Sequence, residues 1–300
     1  MAINRAQLAK ELEPGLNALF GLEYARYENE AAQIFEQESS DRAFEEEVML
    51  VGFGQANVKA EGSAIGFDTA SESFTARYVH DTIALAFALT EEAVEDNLYD
   101  TLSARYTKAL ARSMAYTKQV RGANVLNDAF TVNGGQGVPL LSVAQPTALG
   151  GTFANRSATD ADINETSLEQ AMIDIAGFID ERGLKIAMKG QKLILPVNLQ
   201  FVADRILEST LRVGTADNDI NALKNMGMLP GGYTVNHYLT DTDAWFVKTD
   251  CPNGFKHFVR SALATGMEGD FDTGNMRYKA RERYSFGYSD PRAAYGSAGS

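Results

Sequence analysis

Residues 44–130 decide the fold: FEEEVMLVGFGQANVKAEGSAIGFDTASESFTARYVHDTIALAFALTEEAVEDNLYDTLSARYTKALARSMAYTKQVRGANVLNDAF. Strand-like sequence from Val48 to Phe53 gives way to Gly54, Gly62 and Gly66, then resumes from Phe74 to Phe87 through Thr75, Tyr78, Val79, Thr82 and Ile83. Two β-rich arms around a glycine-rich tip predict an extended hairpin. With arms of about ten residues it would project about 30 Å. Thr90 then offers an N-cap, and Glu91, Glu92, Glu95, Asp96 and Asp100 precede Arg105, Lys108, Arg112, Lys118 and Arg121. Acids at the amino end and bases at the carboxyl end complement a helix dipole. Neither proline nor glycine falls between Glu91 and Arg121, while Val94, Leu98, Leu102, Tyr106, Leu110 and Met114 make a four-residue row able to lie on a sheet. The expectation is a helix of about thirty residues, about 45 Å long, ended by Gly122.

Around this stretch the charge is uneven. Formal net charge is −13. Residues 1–50 hold eleven acids against four bases and so contribute −7, more than half of that excess. Past Met276 the sign reverses, with Arg277, Lys279, Arg281, Arg283 and Arg292 against Glu282 and Asp290. An acidic amino-terminal arm and a basic carboxyl-terminal strand are able to attract one another, within a chain or between copies. The overall acidity argues against nucleic-acid binding driven by counterion release.

The first fifty residues read as an arm. Leu8, Leu12, Leu16, Ala18, Leu19 and Phe20 form one short amphipathic stretch, which Pro14-Gly15 should interrupt, and Glu45-Glu46-Glu47 close the segment. So few apolar residues require docking on something else. Beyond the long helix, residues 131–162 are rich in loop signals, with Gly134-Gly135 and Gly150-Gly151. Thr166 with Glu169, or Ser167 with Gln170, fits a capping box. A helical face of Leu168, Ala171, Met172, Ile175, Phe178 and Ile179 follows, ended by Gly183. Lys192 to Pro196 reads as a buried strand, Asn198 to Ser209 as a helix with Val202 and Ile206 inward, and Asp243 to Lys248 as a strand around Trp245. Pro252-Asn253-Gly254 turns the chain, and Phe255 to Ala262 continues the sheet. In the last element, Met276 to Ser289, Arg277, Lys279, Arg281 and Arg283 alternate with Tyr278, Ala280, Glu282 and Tyr284, which puts four bases on one strand face.

Signals for chemistry are weak. His80, His237 and His257 lie far apart without ligand-spaced partners, and read as locally hydrogen-bonded strand or loop residues. Gly52-Phe53-Gly54 opens like a dinucleotide fingerprint, but the third glycine is missing and a strand stands where a helix should begin. No phosphate loop or nucleophile elbow is present, and Asp217, Asn218, Asp219 and Asn221 lack the glycine and distal glutamate of a calcium loop. Cys251 is the one cysteine, which excludes an intrachain disulfide and fits a packed thiol in a reducing compartment. The opening residues show no apolar signal core, and no apolar run reaches membrane-spanning length, so no membrane partner is expected.

Several short stretches carry a more specific signal. These are Ala123-Asn124-Val125-Leu126-Asn127, Gly137-Val138-Pro139-Leu140-Leu141-Ser142 and Leu193-Ile194-Leu195-Pro196, followed by Leu239-Thr240-Asp241-Thr242-Asp243-Ala244-Trp245-Phe246 and Asp270-Phe271-Asp272-Thr273. In order and spacing the chain resembles the major capsid proteins of tailed bacteriophages of the Hong Kong 97 type, and the last two stretches are similar to head subunits of Mu-type phages. The resemblance implies an α+β fold with an amino-terminal arm (1–47), an extended hairpin loop (48–89), a peripheral domain with a spine helix (90–162), a mixed α/β axial domain (163–261) and return strands (262–300). It also implies a structural role without catalysis or cofactor. Copies would form hexamers and pentamers of an icosahedral head enclosing double-stranded DNA, without sequence-specific binding. Scaffolding, portal and decoration proteins are the implied partners, and assembly would occur in the bacterial cytoplasm before the protein resides in the virion.

Inter-subunit contacts are then expected at Asn57, Lys59, Glu61, Gly62 and Gly66 of the hairpin, at Glu45, Glu46 and Glu47 of the arm, and at Arg277, Lys279, Arg281 and Arg283. Some relatives crosslink a hairpin lysine to an asparagine; Lys59 is the lysine of this hairpin, but no local motif carries that chemistry over. Relatives that are cleaved often have a scaffold-like segment before the arm, so the expectation here is a mature form or separate scaffolding. An encapsulin-like nanocompartment that packages a cargo enzyme is the alternative with the same fold. An enzyme would require a convergent polar pocket that this sequence does not disclose.

Overall fold

Alternation in the longest strands organises the molecule. The computed structural model describes residues 5–90, 99–212, 219–270 and 274–300. In chain order the elements are α1 (Arg5–Arg26), a 3-10 turn (Glu30–Gln33), β1 (Glu36–Ser39), β2 (Phe44–Val51), β3 (Ser71–Val79), β4 (Asp81–Leu89) and α2 (Tyr99–Asn127). Next come β5 (Gln145–Pro146), β6 (Thr152–Phe153), α3 (Glu165–Ala176), β7 (Gly190–Leu195), α4 (Gln200–Glu208), α5 (Ala222–Asn225) and β8 (Tyr233–Val235). The chain finishes with β9 (Trp245–Thr249), β10 (Phe255–Gly269), β11 (Met276–Tyr288), a 3-10 turn (Pro291–Ala293) and β12 (Ala294–Ser297).

Two four-stranded sheets carry the structure, in the orders β1-β10-β11-β4 and β12-β9-β7-β8. In the first, Tyr278, Ala280 and Tyr284 of β11 are buried, and Leu16 and Phe20 of α1 with Leu110, Ala111 and Met114 of α2 complete that core. In the second, Leu193, Ile194, Leu195, Trp245, Phe246, Val247 and Tyr295 pack under Leu168, Ala171, Met172 and Ile175 of α3. Trp245 donates its indole N–H to the Ala161 carbonyl at 2.9 Å, so the largest buried side chain leaves no polar atom unpaired. β2 and β3 stand apart as a two-stranded hairpin.

Several sequence expectations are corrected. α2 runs through Gly122 to Asn127. Its glycine is a contact residue: a Cβ there would lie 3.0 Å from the Ala31 Cβ and 3.6 Å from the Phe286 ring. The expected first turns from Glu91, with Val94 and Leu98, lie outside the described residues, and Thr90, just before them, is exposed. Tyr106 is exposed, because a four-residue row drifts about 40° per step around a helix. The actual buried stripe is Ser103, Thr107, Leu110, Ala111, Met114 and Ala115. α1 likewise continues through Pro14. Loss of one backbone donor there is offset by the docking of Leu16 and Phe20.

The expected second hairpin arm, Phe74 to Phe87, is two strands belonging to different sheets. β3 pairs with β2, the chain breaks at His80, and β4 joins β11. The α3 cap is Asn164, whose side chain accepts from the Ser167 N–H at 2.8 Å while the Ser167 hydroxyl accepts from the Asn164 N–H at 2.9 Å. α3 ends at Ala176 before Gly177, and Gly183 instead turns the following loop at φ +83°. The expected division at 261 falls within β10, which is paired from Phe255 onward, and β12 near the chain end pairs with β9.

Overpacking tests the helix contact directly. Gly122→Leu should lower stability by about 1–3 kcal/mol despite the better helix propensity of leucine. Thermal denaturation reads this out, and an unchanged Tm would show that Ala31 yields freely.

Candidate assembly surfaces

The hairpin is anchored at its root by buried polar groups. Lys256 on β10 is 3% exposed and sits between Glu47 of β2 at 2.5 Å and Glu38 of β1 at 2.8 Å. Burial pushes its ammonium pKa down, but the hydrogen bonds to both carboxylates outweigh that and hold it above the usual value. Glu47 also accepts from the Ser289 hydroxyl, and Ser289 lies 2.5 Å from the Tyr78 hydroxyl. The Tyr78 ring stands edge-on to Phe258 at 4.8 Å. Gly287 makes room for it, since a Cβ there would come within 2.7 Å of the ring.

At the break between β3 and β4, buried His80 joins three segments. Its Nε2 lies 2.9 Å from Ser40 Oγ and its Nδ1 3.0 Å from Ser285 Oγ. Ser40 donates to Glu45 at 2.6 Å and therefore accepts from Nε2–H, leaving Nδ1 to accept from Ser285. Desolvation, followed by the charge of Arg283, lowers the His80 pKa and favours this neutral ring.

The three arm glutamates thus have partners in their own chain. Glu45 binds Ser40, Glu46 lies 3.6 Å from Arg77, and Glu47 binds Lys256 and Ser289. Lys256 and Ser289 were not legible as partners of Glu47, because they are 209 and 242 positions from it in sequence and meet it only through sheet pairing.

Farther out, the hairpin is almost bare. Asn57, Lys59, Glu61, Gly62 and Gly66 are all exposed, Gly62 at φ +77°. Around them Val58 and Phe67 are 100% exposed, Ile65 70% and Phe53 62%. Isolated exposed apolar residues are ordinary, whereas four on one loop make the tip a candidate contact surface. One side of the tip is latched: the Gly54 N–H donates to Asp68 at 2.8 Å, and Arg182 reaches Asp68 at 3.2 Å and the Thr69 carbonyl at 2.5 Å. Backbone hydrogen bonds from Gly54 and Thr69, then the Arg182 charge, hold the Asp68 pKa below the usual range.

The sequence-predicted bases do share one sheet face. Arg277, Lys279 and Arg281 are exposed and Arg283 is half-buried, alternating with buried Tyr278, Ala280, Glu282 and Tyr284. Arg277 pairs with Asp270 at 2.5 Å, and the Arg283 Nε donates to the His80 carbonyl at 3.4 Å. Lys279 and Arg281 have no ion-pair partner among the described residues. Across β4 they face Ala86 and Ala84, and across β10 Gly266 and Ala264. The result is a flat cationic strip with minimal side-chain relief on either flank.

Buried ionisable groups elsewhere look structural. Burial raises the Cys251 thiol pKa far above its usual value, as expected for a packed cysteine. Arg292 is enclosed by Glu181 at 2.9 Å, Asp290 at 3.2 Å and the Ile179 carbonyl at 2.7 Å. Among the described residues no group of three His, Cys, Asp or Glu side chains is disposed to hold a metal, and no helix is long and apolar enough to cross a membrane.

A long helix backing an extended sheet, a second α/β unit and an anchored hairpin with an exposed apolar tip define the architecture. Residues 73–297 match the family described as phage capsid protein, and the chain belongs to that family. No curated protein matches the chain. Among solved structures, a virus-like particle from Pyrococcus furiosus is similar with TM-score 0.57 at 9% identity, over 94% of this chain and 97% of that one. The capsid of a native GTA particle gives 0.57 at 11% identity over 90% of each chain, and Mycobacterium phage Che8 gives 0.54 at 15% over 89% of each. The fold is the α+β Hong Kong 97-type capsid fold, and the role of the family is structural.

A buried histidine in the first sheet makes stability acid-sensitive. His257 is buried, stacked on Phe286 at 4.2 Å, and its Nε2 has no hydrogen-bond partner. Desolvation, then the charge of Lys118, lowers its pKa to about 4. The unfolded chain therefore takes up a proton near pH 6.5 that the native state refuses until about pH 4, so stability is full above pH 6.5 and falls through that window. From this residue the loss is roughly 3 kcal/mol. Buried Glu282, whose pKa is raised by desolvation, works in the opposite sense. His257→Phe should keep the stack and flatten the decline, measured as urea midpoints at pH 7 and 5; equal declines in both proteins would refute this assignment.

Proposed function

We propose that this chain is the major subunit of a tailed-phage head, assembling as hexamers and pentamers into an icosahedral shell around double-stranded DNA. The observation that carries the reading is the hairpin: its root is fixed by Lys256, Glu47 and His80, while its tip exposes Val58 and Phe67 entirely. A fixed root with an unpartnered apolar tip suits reaching onto a neighbouring copy. Asn57, Lys59, Glu61, Gly62 and Gly66 are then tip contacts, and the strip of Lys279 and Arg281, with Arg277 and Arg283 at its ends, offers an acidic surface of a neighbour a flat seat. Glu46, the most open of the arm glutamates, is the member of that trio available to such a contact.

The subunit works by association and needs no bond making. Scaffolding, portal and decoration proteins are its proposed partners, the bacterial cytoplasm its place of assembly and the virion its destination. The second reading is a nanocompartment shell of the same fold around a cargo enzyme. Nucleic acid inside purified particles supports the first reading and a protein cargo the second.

Electron microscopy of purified protein should show closed shells, and deletion of residues 57–70 should leave a folded subunit that no longer closes them. Normal particles from the deletion would refute the role of the tip. Lys279→Gln with Arg281→Gln removes two exposed charges per copy, each worth about 0.2–1 kcal/mol. The critical concentration for assembly should rise about 2- to 30-fold at low salt, and the difference should vanish near 1 M salt. Equal critical concentrations at low salt would show the strip to be merely solvated.

A further inference from the structure

The overall charge of −13 conceals a second cationic face. Between 103 and 127, α2 carries Arg105, Lys108, Arg112, Lys118 and Arg121 and no acid. Lys118 is half-buried against Glu282 at 3.3 Å, and Arg121 pairs with Asp81 at 2.5 Å. Arg105, Lys108 and Arg112 are exposed and have no ion-pair partner among the described residues. At about 100° per residue they fall with Tyr116 in one sector about 80° wide, opposite the stripe of Leu110 and Met114 that packs on the sheet.

Neither helix stability nor the dipole explains this sector. Dipole compensation acts within the last turn, whereas Arg112 lies fifteen residues before the helix end at Asn127. Lys108 and Arg112 are like charges four residues apart, an arrangement that weakens a helix. The surface is convex, so it provides no pocket for a small anion. It does provide a row of long, flexible donors about 10 Å from Arg105 to Arg112, the axial rise of about three phosphates on one strand of a duplex. Tyr116, 59% exposed with its ring edge-on to Tyr238 at 5.7 Å, extends the row with a hydroxyl able to donate to a phosphate.

We infer that this outward face of α2 is a sequence-independent contact surface for the phosphate backbone of enclosed double-stranded DNA. The inference rests on the shell reading for the identity of the polyanion. It assigns the two cationic faces different partners: the flat β11 strip a protein neighbour, the convex α2 row nucleic acid. An acidic protein surface on α2 is the competing occupant, and the test separates the two.

The test measures binding of a fluorescent duplex of about 30 base pairs to the unassembled full-length chain by anisotropy, starting at about 50 mM salt and titrating upward. Arg105→Gln, Lys108→Gln and Arg112→Gln are combined, folding is checked by circular dichroism, and Lys279→Gln with Arg281→Gln is the comparison. The slope of log affinity against log salt should shrink by about two to three in the α2 variant, close to 0.9 per neutralised phosphate, and stay unchanged in the β11 variant. Shells of the α2 variant should still close and should retain less DNA. An unchanged slope, or no binding by the wild-type chain, overturns the inference while closed shells leave the shell reading intact. Failure of the folded α2 variant to form shells assigns the face to a protein contact and also overturns it. A slope that shrinks as expected in a chain that never forms shells sustains the DNA surface and refutes the shell reading instead.

Discussion

Strand β11 has to satisfy two opposite environments, and the rest of the molecule is arranged around that requirement. Its inward side chains, Tyr278, Ala280 and Tyr284, are buried against α1 and α2, and its outward ones are bases. A slip of one residue in its pairing with β4 or β10 would put the bases into the apolar core and the tyrosines into water. Register is therefore strongly specified. With the register set, the bases line up opposite alanines and glycine, and the long helix has a single way to lie.

Glu282 and His257 qualify this picture. They occupy inward positions of an otherwise aromatic surface, with Lys118 of α2 bridging toward Glu282 and the Tyr284 ring. The Tyr284 hydroxyl and one Glu282 oxygen have no hydrogen-bond partner. Buried polar groups left partly unsatisfied lower stability, so helix and sheet are held less firmly here than apolar residues would hold them. The hairpin root is the contrast: Lys256, Glu47, Ser289 and Tyr78 form a connected set, and the tip beyond it is left open. Buried polar contacts are concentrated where the hairpin joins the body, and exposure at its tip.

Much of the fold was legible in periodicity. The strand around Trp245, the buried run of Leu193 to Leu195, the inward Ile206 and the alternation of β11 all follow from local pattern, because burial on one face imposes a period of two or 3.6. The errors share a cause. Gly122 and Pro14 are helix breakers by propensity, and both lie inside helices because tertiary contacts exceed propensities of about 1–3 kcal/mol. The chain switches sheets at His80 without any change in strand-like composition, so a single continuous arm was the natural reading. The candidate surfaces were legible only in part: the tip and the basic face follow from glycine spacing and alternation, whereas the outward row on α2 was hidden by treating its bases as dipole compensation.

By itself, the sequence determined which residues are strand or helix, that the tip is glycine-rich and exposed, and that Arg277, Lys279, Arg281 and Arg283 share a face, since these depend on neighbours a few positions apart. Only the tertiary structure decided which charges are already paired. Glu47 and Lys256 are 209 residues apart and Arg182 and Asp68 are 114 apart, and no local rule brings them together. Whether Lys279 and Arg281 stay without an ion partner is settled in the same way, because ion pairing falls off within a few ångströms and the distances between remote residues are set by strand pairing and core packing.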